Sequence, residues 1–464
     1  MADPLPLVCI HGYSSNSDAF KTWKQLIRNG PNPPLDIHIG NYVSLSNEIT
    51  IKDIAEGLDR ALRIEAGLQR DEPFDAIVHS TGMLVIRSWL VTYPKRSTRL
   101  RHLIGLAPAT WGSPLAHKGR GFLGSIVKGN RQLGPDFLEA GDLVLDGLEL
   151  GSKFTWDLAH LDLFGSQAFY GNGFTGATST PYVFIFCGNR PYGGIFRKVI
   201  DEPGTDGTVR WSGVSLNSRK ITVDLTRNTE SPQRNTIGEW HDVSNVPLIF
   251  VDDRDHGSIM DSPPATTVDL VRRALTVQSD ADLQAWCNLA QPQSDAVRPS
   301  PIWQQFVIRA IDERGDPVTD YGITLLAKRP GESLKVLKDF ELDVHSYRRD
   351  ESFRNFHVNL TALIGASKAT PNPKPPFDQL VMELTLTSGT KLVGYRGVNS
   401  AGVEIGPSSI GEVYVDLTPL LQAKDSKGKD FGLFHPFTTT LVEIRVDREP
   451  LPVGARNLVY TFET

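Results

Sequence analysis

The 464 residues carry 48 Lys and Arg against 54 Asp and Glu, a formal net charge of -6, with 40% hydrophobic and 22% charged residues. Those proportions exclude a disordered or fibrous chain; the mild acidity argues against a general nucleic-acid binder; and three cysteines, Cys9, Cys187 and Cys287, exclude a disulfide-rich scaffold. The length suggests about two to four domains, and 31 Pro with 41 Gly predict a loop-rich chain.

Met1-Ala2-Asp3-Pro4 has no basic start, and the apolar run after it is broken by His11 and Gly12. No secretion leader is read there, so the expected location is the cytoplasm, with export by another route left open. No apolar stretch approaches the ~18 residues that span a bilayer. Strand-length apolar runs then follow at Leu5–Ile10, Leu35–Gly40, Phe74–His79, Arg101–Leu106, Tyr182–Cys187 and Pro247–Val251. Between the second and third, Ile51, Ile54, Leu58 and Leu62 share one helical face. Thr50 with Asp53 resembles a capping box at the start of that helix. A further helix is expected from just after Ser80 through Trp89. This alternation predicts an α/β fold, a mostly parallel sheet flanked by helices.

Residues 114–175 break the alternation with a Leu- and Phe-rich stretch of helical spacing, read as a cap or lid. A linker is expected at 291–301, where Gln291-Pro292-Gln293-Ser294 gives way to Arg298-Pro299-Ser300-Pro301. Beyond it the pattern turns all-β, with Phe306–Ile311, Ile323–Ala327, Phe356–Leu360, Leu380–Leu386, Glu412–Leu417 and Leu441–Val446 as strands. The expected organisation is therefore residues 1–290 as a catalytic domain and 302–464 as a β-sandwich-like domain.

The sharpest local signal is Val78-His79-Ser80-Thr81-Gly82, set between a strand and a helix. A serine on such a turn has its hydroxyl raised above the sheet, and the flanking positions are small because strand and helix pack closely. Leu7 to Ile10, running into His11-Gly12-Tyr13, supplies a second element. The loop after that strand offers a backbone N–H, from Tyr13, and the residue after the serine offers another, from Thr81. Two such donors stabilise a tetrahedral oxyanion.

These residues resemble the α/β-hydrolase superfamily, and within it bacterial lipases and esterases and the lecithin–cholesterol acyltransferase-like lipases. The resemblance spans roughly residues 1–280. It rests on His11-Gly12, on His79-Ser80-Thr81-Gly82, and on Leu106 through Ala116, which is similar to the "P-x-x-G-S-P-L-A" stretch of those lipases. Val78 and Met83 depart from the usual glycines. The resemblance implies a Ser-Asp-His triad in that chain order. His256, in Asp255-His256-Gly257-Ser258-Ile259, follows the last strand as the base does in similar lipases, with His241 as its rival. Asp206, in Gly204-Thr205-Asp206-Gly207-Thr208-Val209, matches the acid, with Asp201 as the nearby competitor. Asp255 is read as a surface or structural group, His79 as packing behind the turn, and His11 as a brace for the oxyanion loop.

The expected activity is serine hydrolysis of carboxylic esters with hydrophobic acyl groups, by a lipase or carboxylesterase. An acyltransferase on the same triad is the alternative, and a non-catalytic binding protein on the same scaffold the third reading. No cofactor is expected. Some resembling lipases hold a structural calcium, for which Asp242, Asp252 and Asp253 are the nearest carboxylates, but their spacing matches no ligand loop. Expected partners are an ester or lipid substrate, with surface contact through the cap or the C-terminal domain, and no nucleic acid. Gly171 to Gly176 superficially matches a dinucleotide loop, but it lacks the strand–helix context and is read as a plain loop.

Overall fold

Apolar runs buried along their whole length belong inside a sheet covered on both sides, and the first part of the chain is built that way. In the computed structural model, described for residues 4–13, 15–69, 71–92, 99–118, 141–165, 169–170, 180–193, 202–227, 235–237, 246–338, 340–421, 432–453, 456–457 and 459–460, the chain divides into two units. One comprises Met1–Ser218, His241–Ser300 and Phe437–Thr439; the other comprises Arg219–Trp240, Pro301–Pro436 and Thr440–Thr464.

The first unit holds a parallel sheet of β1 (Leu7–Ile10), β2 (Ile37–Ile39), β3 (Phe74–His79), β4 (Leu100–Leu106), β5 (Tyr182–Gly188) and β8 (Leu248–Val251) in the order β2-β1-β3-β4-β5-β8. Between β5 and β8 the chain forms β6 (Ser218–Asp224) and β7 (Asn235–Ile237), which join a sheet of the second unit. Its helices are α1 (Lys21–Arg28), α2 (Ile51–Ile64), α3 (Gly82–Thr92), α4 (Leu115–Lys118), α5 (Asp142–Leu148), α6 (Lys153–Asp162), α7 (Ser258–Asp261), α8 (Ala265–Ala274) and α9 (Asp280–Ala296). Helix α2 starts with the expected reciprocal cap, the Thr50 hydroxyl accepting from Asp53 N–H and the Asp53 carboxylate accepting from Thr50 N–H. Leu7 and Cys9, Ile104, Phe184 and Phe186, and Ile249 and Val251 pack in one buried cluster with Trp23 and Ile27 of α1, Val271 of α8 and Trp286 of α9. Both phenylalanines meet the Trp286 ring edge-on, at 4.6 and 6.1 Å between centroids.

Of the cap stretch 114–175, helices α4, α5 and α6 are described, and the remainder lies largely outside the described residues. The first part of the stretch 291–301, read as a linker, is helical, and the division between the units falls at Ser300 and Pro301. Helix α9 runs through Pro292 to Ala296, held because Trp286, Ala290 and Ser294 are buried and the Ser294 hydroxyl accepts the Phe250 N–H at 2.8 Å. That packing outweighs the one hydrogen bond a helical proline forgoes.

Among the described residues, the second unit has a two-stranded sheet, Pro452–Val453 with Arg456–Asn457, and two large ones. One runs β12 (Leu342–Ser346), β13 (Phe353–Asn359), β9 (Trp303–Asp312), β18 (Thr439–Val446), β6 and β7 in that order. The other runs β11 (Lys335–Val336), β10 (Tyr321–Lys328), β14 (Gln379–Thr387), β17 (Ile410–Asp416), β15 (Val393–Val398) and β16 (Glu404–Ser408), with β19 (Arg448–Pro450) paired to β15. Strand β6, which lies between β5 and β8 in the chain, is thus paired within this unit. Among the described residues, no helix is long and apolar enough to cross a membrane.

Candidate active site

Strand β3 delivers His79 and Ser80 to the C-terminal edge of the parallel sheet, and α3 begins two residues later. Ser80 sits at φ 52°, in the left-handed region that L-residues rarely occupy. Such strain persists only where surrounding bonds fix it. Ser80 N–H donates to Leu106 O at 3.3 Å, and its carbonyl accepts from Met83 and Ala109 at 3.2 and 3.0 Å. The close approach behind it is real: a Cβ on Gly82 would lie 2.6 Å from Ile10 O. Met83, where similar hydrolases carry glycine, is accommodated by Gly105, whose absent Cβ would lie 2.9 Å from the Met83 methyl. Val78 is fully buried within β3.

Two glycine-dependent loops flank the serine. A Cβ on Gly12 would come within 2.8 Å of Ser80 Cβ and 3.3 Å of its Oγ, so the His11-Gly12-Tyr13 loop passes directly against the hydroxyl. His11 braces that loop. Its ring stacks on Tyr42 at 4.1 Å, its Nδ1–H donates to Gly12 O at 2.8 Å, and its Nε2 accepts from Tyr42 N–H at 3.3 Å. Tyr42 Oη–H closes the brace by donating to His11 O at 2.7 Å. This arrangement needs the neutral Nδ1–H tautomer, and burial lowers the pKa of the ring below its ordinary value. Thr81 stands just before the first turn of α3, where N–H groups have no intrahelical acceptor.

Asp206 and His256 meet in a buried pair. His256 Nδ1 lies 3.0 Å from Asp206 Oδ2, and the His256 main-chain N–H donates to Asp206 O at 3.0 Å, so the imidazole is tied at two points. Asp206 is fully buried. Its Oδ1 accepts the N–H groups of Thr208 and Val209 at 3.0 and 2.9 Å, and the Cys187 thiol points at Oδ2 from 3.7 Å. With Nδ1 donating, Nε2 is the nitrogen left to take a proton. His79 Nε2 lies 3.1 Å from His256 O, and the two rings are 4.7 Å apart. The chain neighbour of Ser80 is therefore packed on His256. Burial first, then the nearby His256, push the His79 pKa far below its usual value.

The stretch Leu106–Ala116 ties these parts together. Ala109 N–H bonds Ser80 O, Trp111 N–H bonds Gly213 O at 3.1 Å, and the Ser113 hydroxyl donates to Thr208 O at 2.5 Å. One short segment thus fastens the Ser80 turn and the loop that carries Asp206. The acid loop is further fixed by Trp211, whose Nε1–H donates to Gly188 O at 3.0 Å. Gly207, at φ 101°, lies against the Tyr192 ring, which a Cβ would meet at 2.5 Å.

The other histidines and carboxylates have different employment. Asp255 fixes the turn that leads into α7, its Oδ1 accepting from Gly257 N–H, Ser258 N–H and the Ser258 hydroxyl. His102 is bonded to Asp75 at 2.8 Å and Val277 O at 2.6 Å. Asp252 accepts from Asn189, and Asp253 pairs with Arg190 and Arg254. Among the described residues, no group of three or more His, Cys, Asp or Glu could hold a metal ion. Asp201, His241, Asp242 and residues 171–176 lie outside the described residues. The three thiols are unpaired with one another; burial raises Cys9 to about 12 and, with Asp206 beside it, raises Cys187 well above the usual value. Cys287 is half-exposed. Tyr42 lies in no motif and was not flagged by the sequence; Ser113 lies within the Leu106–Ala116 stretch, but its link to the Asp206 loop carried no sequence signal.

No protein-family model matches the sequence, and no curated protein matches it. Among solved structures, phospholipase PlaB from Legionella pneumophila matches with a TM-score of 0.73 at 22% identity, over 99% of this chain and 98% of its own. The same phospholipase in complex with thio-NAD matches with a TM-score of 0.72 at 21% identity, over 99% and 97%. The mature lipase BlEst2 of Bacillus licheniformis matches over 58% of this chain and 92% of its own at 16% identity, with a TM-score of 0.35. The parallel sheet with its strand–serine–helix turn, and the full-length match to PlaB, give this chain the α/β-hydrolase fold with an added β-rich part.

Proposed function

We propose that the protein is a serine hydrolase of carboxylic esters, with Ser80 as nucleophile, His256 as general base and acid, and Asp206 as the carboxylate that orients the imidazole. The observation that carries this reading is the buried His256–Asp206 pair packed on the residue that precedes a left-handed serine. In this mechanism His256 Nε2 takes the Ser80 proton as Oγ attacks the ester carbonyl. The carbonyl π-electrons move onto oxygen, where the amides of Tyr13 and Thr81 stabilise the charge. The imidazolium, held against Asp206, then protonates the departing alcohol as the tetrahedral centre collapses to an acyl-Ser80. Water, deprotonated by His256, attacks that ester in turn, and the acid leaves as Ser80 regains its proton.

The full-length structural match to a phospholipase supports an acyl ester of a phospholipid or lysophospholipid as substrate. The test is a panel of esters of increasing acyl length, with phosphatidylcholine and lysophosphatidylcholine, for the native chain and Ser80→Ala. The expected result is hydrolysis favouring long acyl chains and a loss of kcat of roughly 10^4-fold or more in the variant. Undiminished turnover by Ser80→Ala would remove Ser80 as the nucleophile.

A further inference from the structure

An apolar space in the second unit lies between its two large sheets, and nothing in the proposed ester chemistry uses it. The cavity measures about 360 Å3, within the range of roughly 300–1,000 Å3 that holds small ligands. One sheet contributes Ile221, Phe306, Phe356 and Val442; the other contributes Leu325 and Met382. Phe306 and Phe356 are cross-strand partners in the middle of their sheet. Their chain neighbours Gln305, Val307, Asn355 and His357 are buried, yet both rings are only half-buried, because they face open space rather than packed side chains. A packed sandwich core interdigitates and leaves few voids larger than a water molecule.

The mouth of this space is marked by charge. Lys338 lines the cavity and is exposed. A smaller recess of about 120 Å3 adjoins it, sharing Leu337, Lys338, Phe340 and Leu363, and adds Arg329, Glu332 and Lys335. Lys335 is paired with Glu332 at 3.4 Å. Arg329 and Lys338 have no ion-pair partner among the described residues, so two positive charges remain unspent beside the opening of an apolar slot. Leu334, Val336 and Leu342 stand exposed around the same edge.

We propose that this slot is a second lipid site, taking the acyl chain of a single-chain amphiphile, with the anionic head group held at the mouth by Lys338 and Arg329. The volume suits one chain, the lining is apolar apart from Thr324 and the Lys338 at the mouth, and the two cations are placed to compensate one negative head. The exposed leucines and valine give the amphiphile an apolar path into the slot from a micelle or bilayer surface. A carboxylate and a phosphate monoester satisfy the mouth equally in kind.

The experiment uses the full chain carrying Ser80→Ala, so that no lipid is consumed, and titrates laurate, lysophosphatidate and, as the uncharged comparison, dodecanol. In that background, Met382→Trp fills the slot, and Arg329→Glu with Lys338→Glu reverses the mouth. The expected result is saturable binding of an anionic amphiphile, lost with Met382→Trp. The double reversal, on exposed or rim side chains that leave the fold intact by circular dichroism, weakens the anionic ligand by about tenfold or more and leaves dodecanol little changed. Whichever of laurate and lysophosphatidate binds more tightly identifies the head group. Anionic-ligand binding indifferent to the double reversal, or a loss equally large for dodecanol, overturns the proposal, as does the absence of any binding to the Ser80→Ala chain.

Discussion

Gly12 shows how one missing methyl sets the reactive geometry. The loop that carries the Tyr13 amide runs so close to Ser80 that a Cβ would sit 2.8 Å from the serine Cβ. A Gly12→Ala chain therefore has to move either the oxyanion loop or the serine by a fraction of an ångström or more, and displacements near 1 Å cost about 10^2-fold in rate. We expect Gly12→Ala to lower kcat by that order with little change in KM, read on a soluble short-chain ester; an unaltered kcat would mean that the loop takes no part in transition-state binding. His11, one residue earlier, makes a pH prediction. Burial lowers its folded pKa below 6.5, and His79 is lowered further, so both are neutral in the folded chain while the unfolded chain titrates ordinarily. The unfolded state then binds more protons as pH falls through about 6.5, and stability, complete above that value, is lost as pH decreases until the folded pKa values are reached. Urea midpoints are expected to fall between about pH 7.5 and 5.5, a range above most carboxylate titrations, and the slope should shrink in His11→Gln. A profile unaffected by that replacement would show that His11 does not contribute.

At the scale of elements, α3 and α6 are joined by a buried ion pair that no local pattern announced. Arg87 Nε and Nη2 grip both oxygens of Asp162 at 2.7 and 3.0 Å, Tyr170 Oη–H donates to the same carboxylate at 2.8 Å, and Arg87 Nη1 donates to Thr110 O at 2.7 Å. Both charges are fully buried. Asp162→Asn leaves the guanidinium uncompensated and is expected to cost about 3–5 kcal/mol, whereas Arg87→Met with Asp162→Leu should recover most of that loss. Urea unfolding of the three chains decides it, and a benign Asp162→Asn would place little energy in the pair. The elements themselves were largely legible. Strands β1, β5 and β8 announce themselves as apolar runs and β3 and β4 as mainly apolar ones, because burial leaves little polar alternation to mislead, while the edge strand β2, Ile37-His38-Ile39, alternates and is only partly buried; the Thr50–Asp53 cap marks the start of α2. The strand–Ser80–helix turn and the pairing of Asp206 with His256 were legible through motifs and chain order. What escaped was long-range: Arg87 and Asp162 are 75 residues apart, and their pairing has no periodic signature. Helix α9 was hidden by Pro292, a local stop signal that burial of Trp286 and Ala290 overrides. The short strands β12 and β16 carry exposed apolar residues such as Val344 and Ile405, so no core-facing stripe separates them from loops.

The chain as a whole is not a catalytic half followed by a β half, because the second unit takes a segment from within the first. Residues 219–240 leave the α/β part, supply β6 and β7, and return before β8. In its sheet β6 is hydrogen-bonded between β7 and β18. Ile221 and Val223 are buried in the second unit, and the buried Arg219 donates to Leu433 O and to Thr440 Oγ1. Cutting the chain after Ser300 would remove β18, Leu433 and Thr440 together. What remains is a two-strand ribbon with the β6 edge newly unpaired, an exposed apolar face and an arginine without its Leu433 and Thr440 acceptors. An unpaired edge beside apolar side chains is a template for intermolecular pairing, and an isolated hairpin is marginal in water. We therefore expect the 1–300 fragment to aggregate, as read by light scattering and size-exclusion chromatography. Replacing residues 219–240 in that fragment by a short Gly/Ser connection should restore a monodisperse species, because it removes the orphaned strands rather than any part of the parallel sheet. If the simple 1–300 fragment is itself monomeric with a native-like near-ultraviolet spectrum, the woven segment is dispensable and the two units fold independently. If both fragments aggregate, the α/β part depends on the β unit through contacts other than β6.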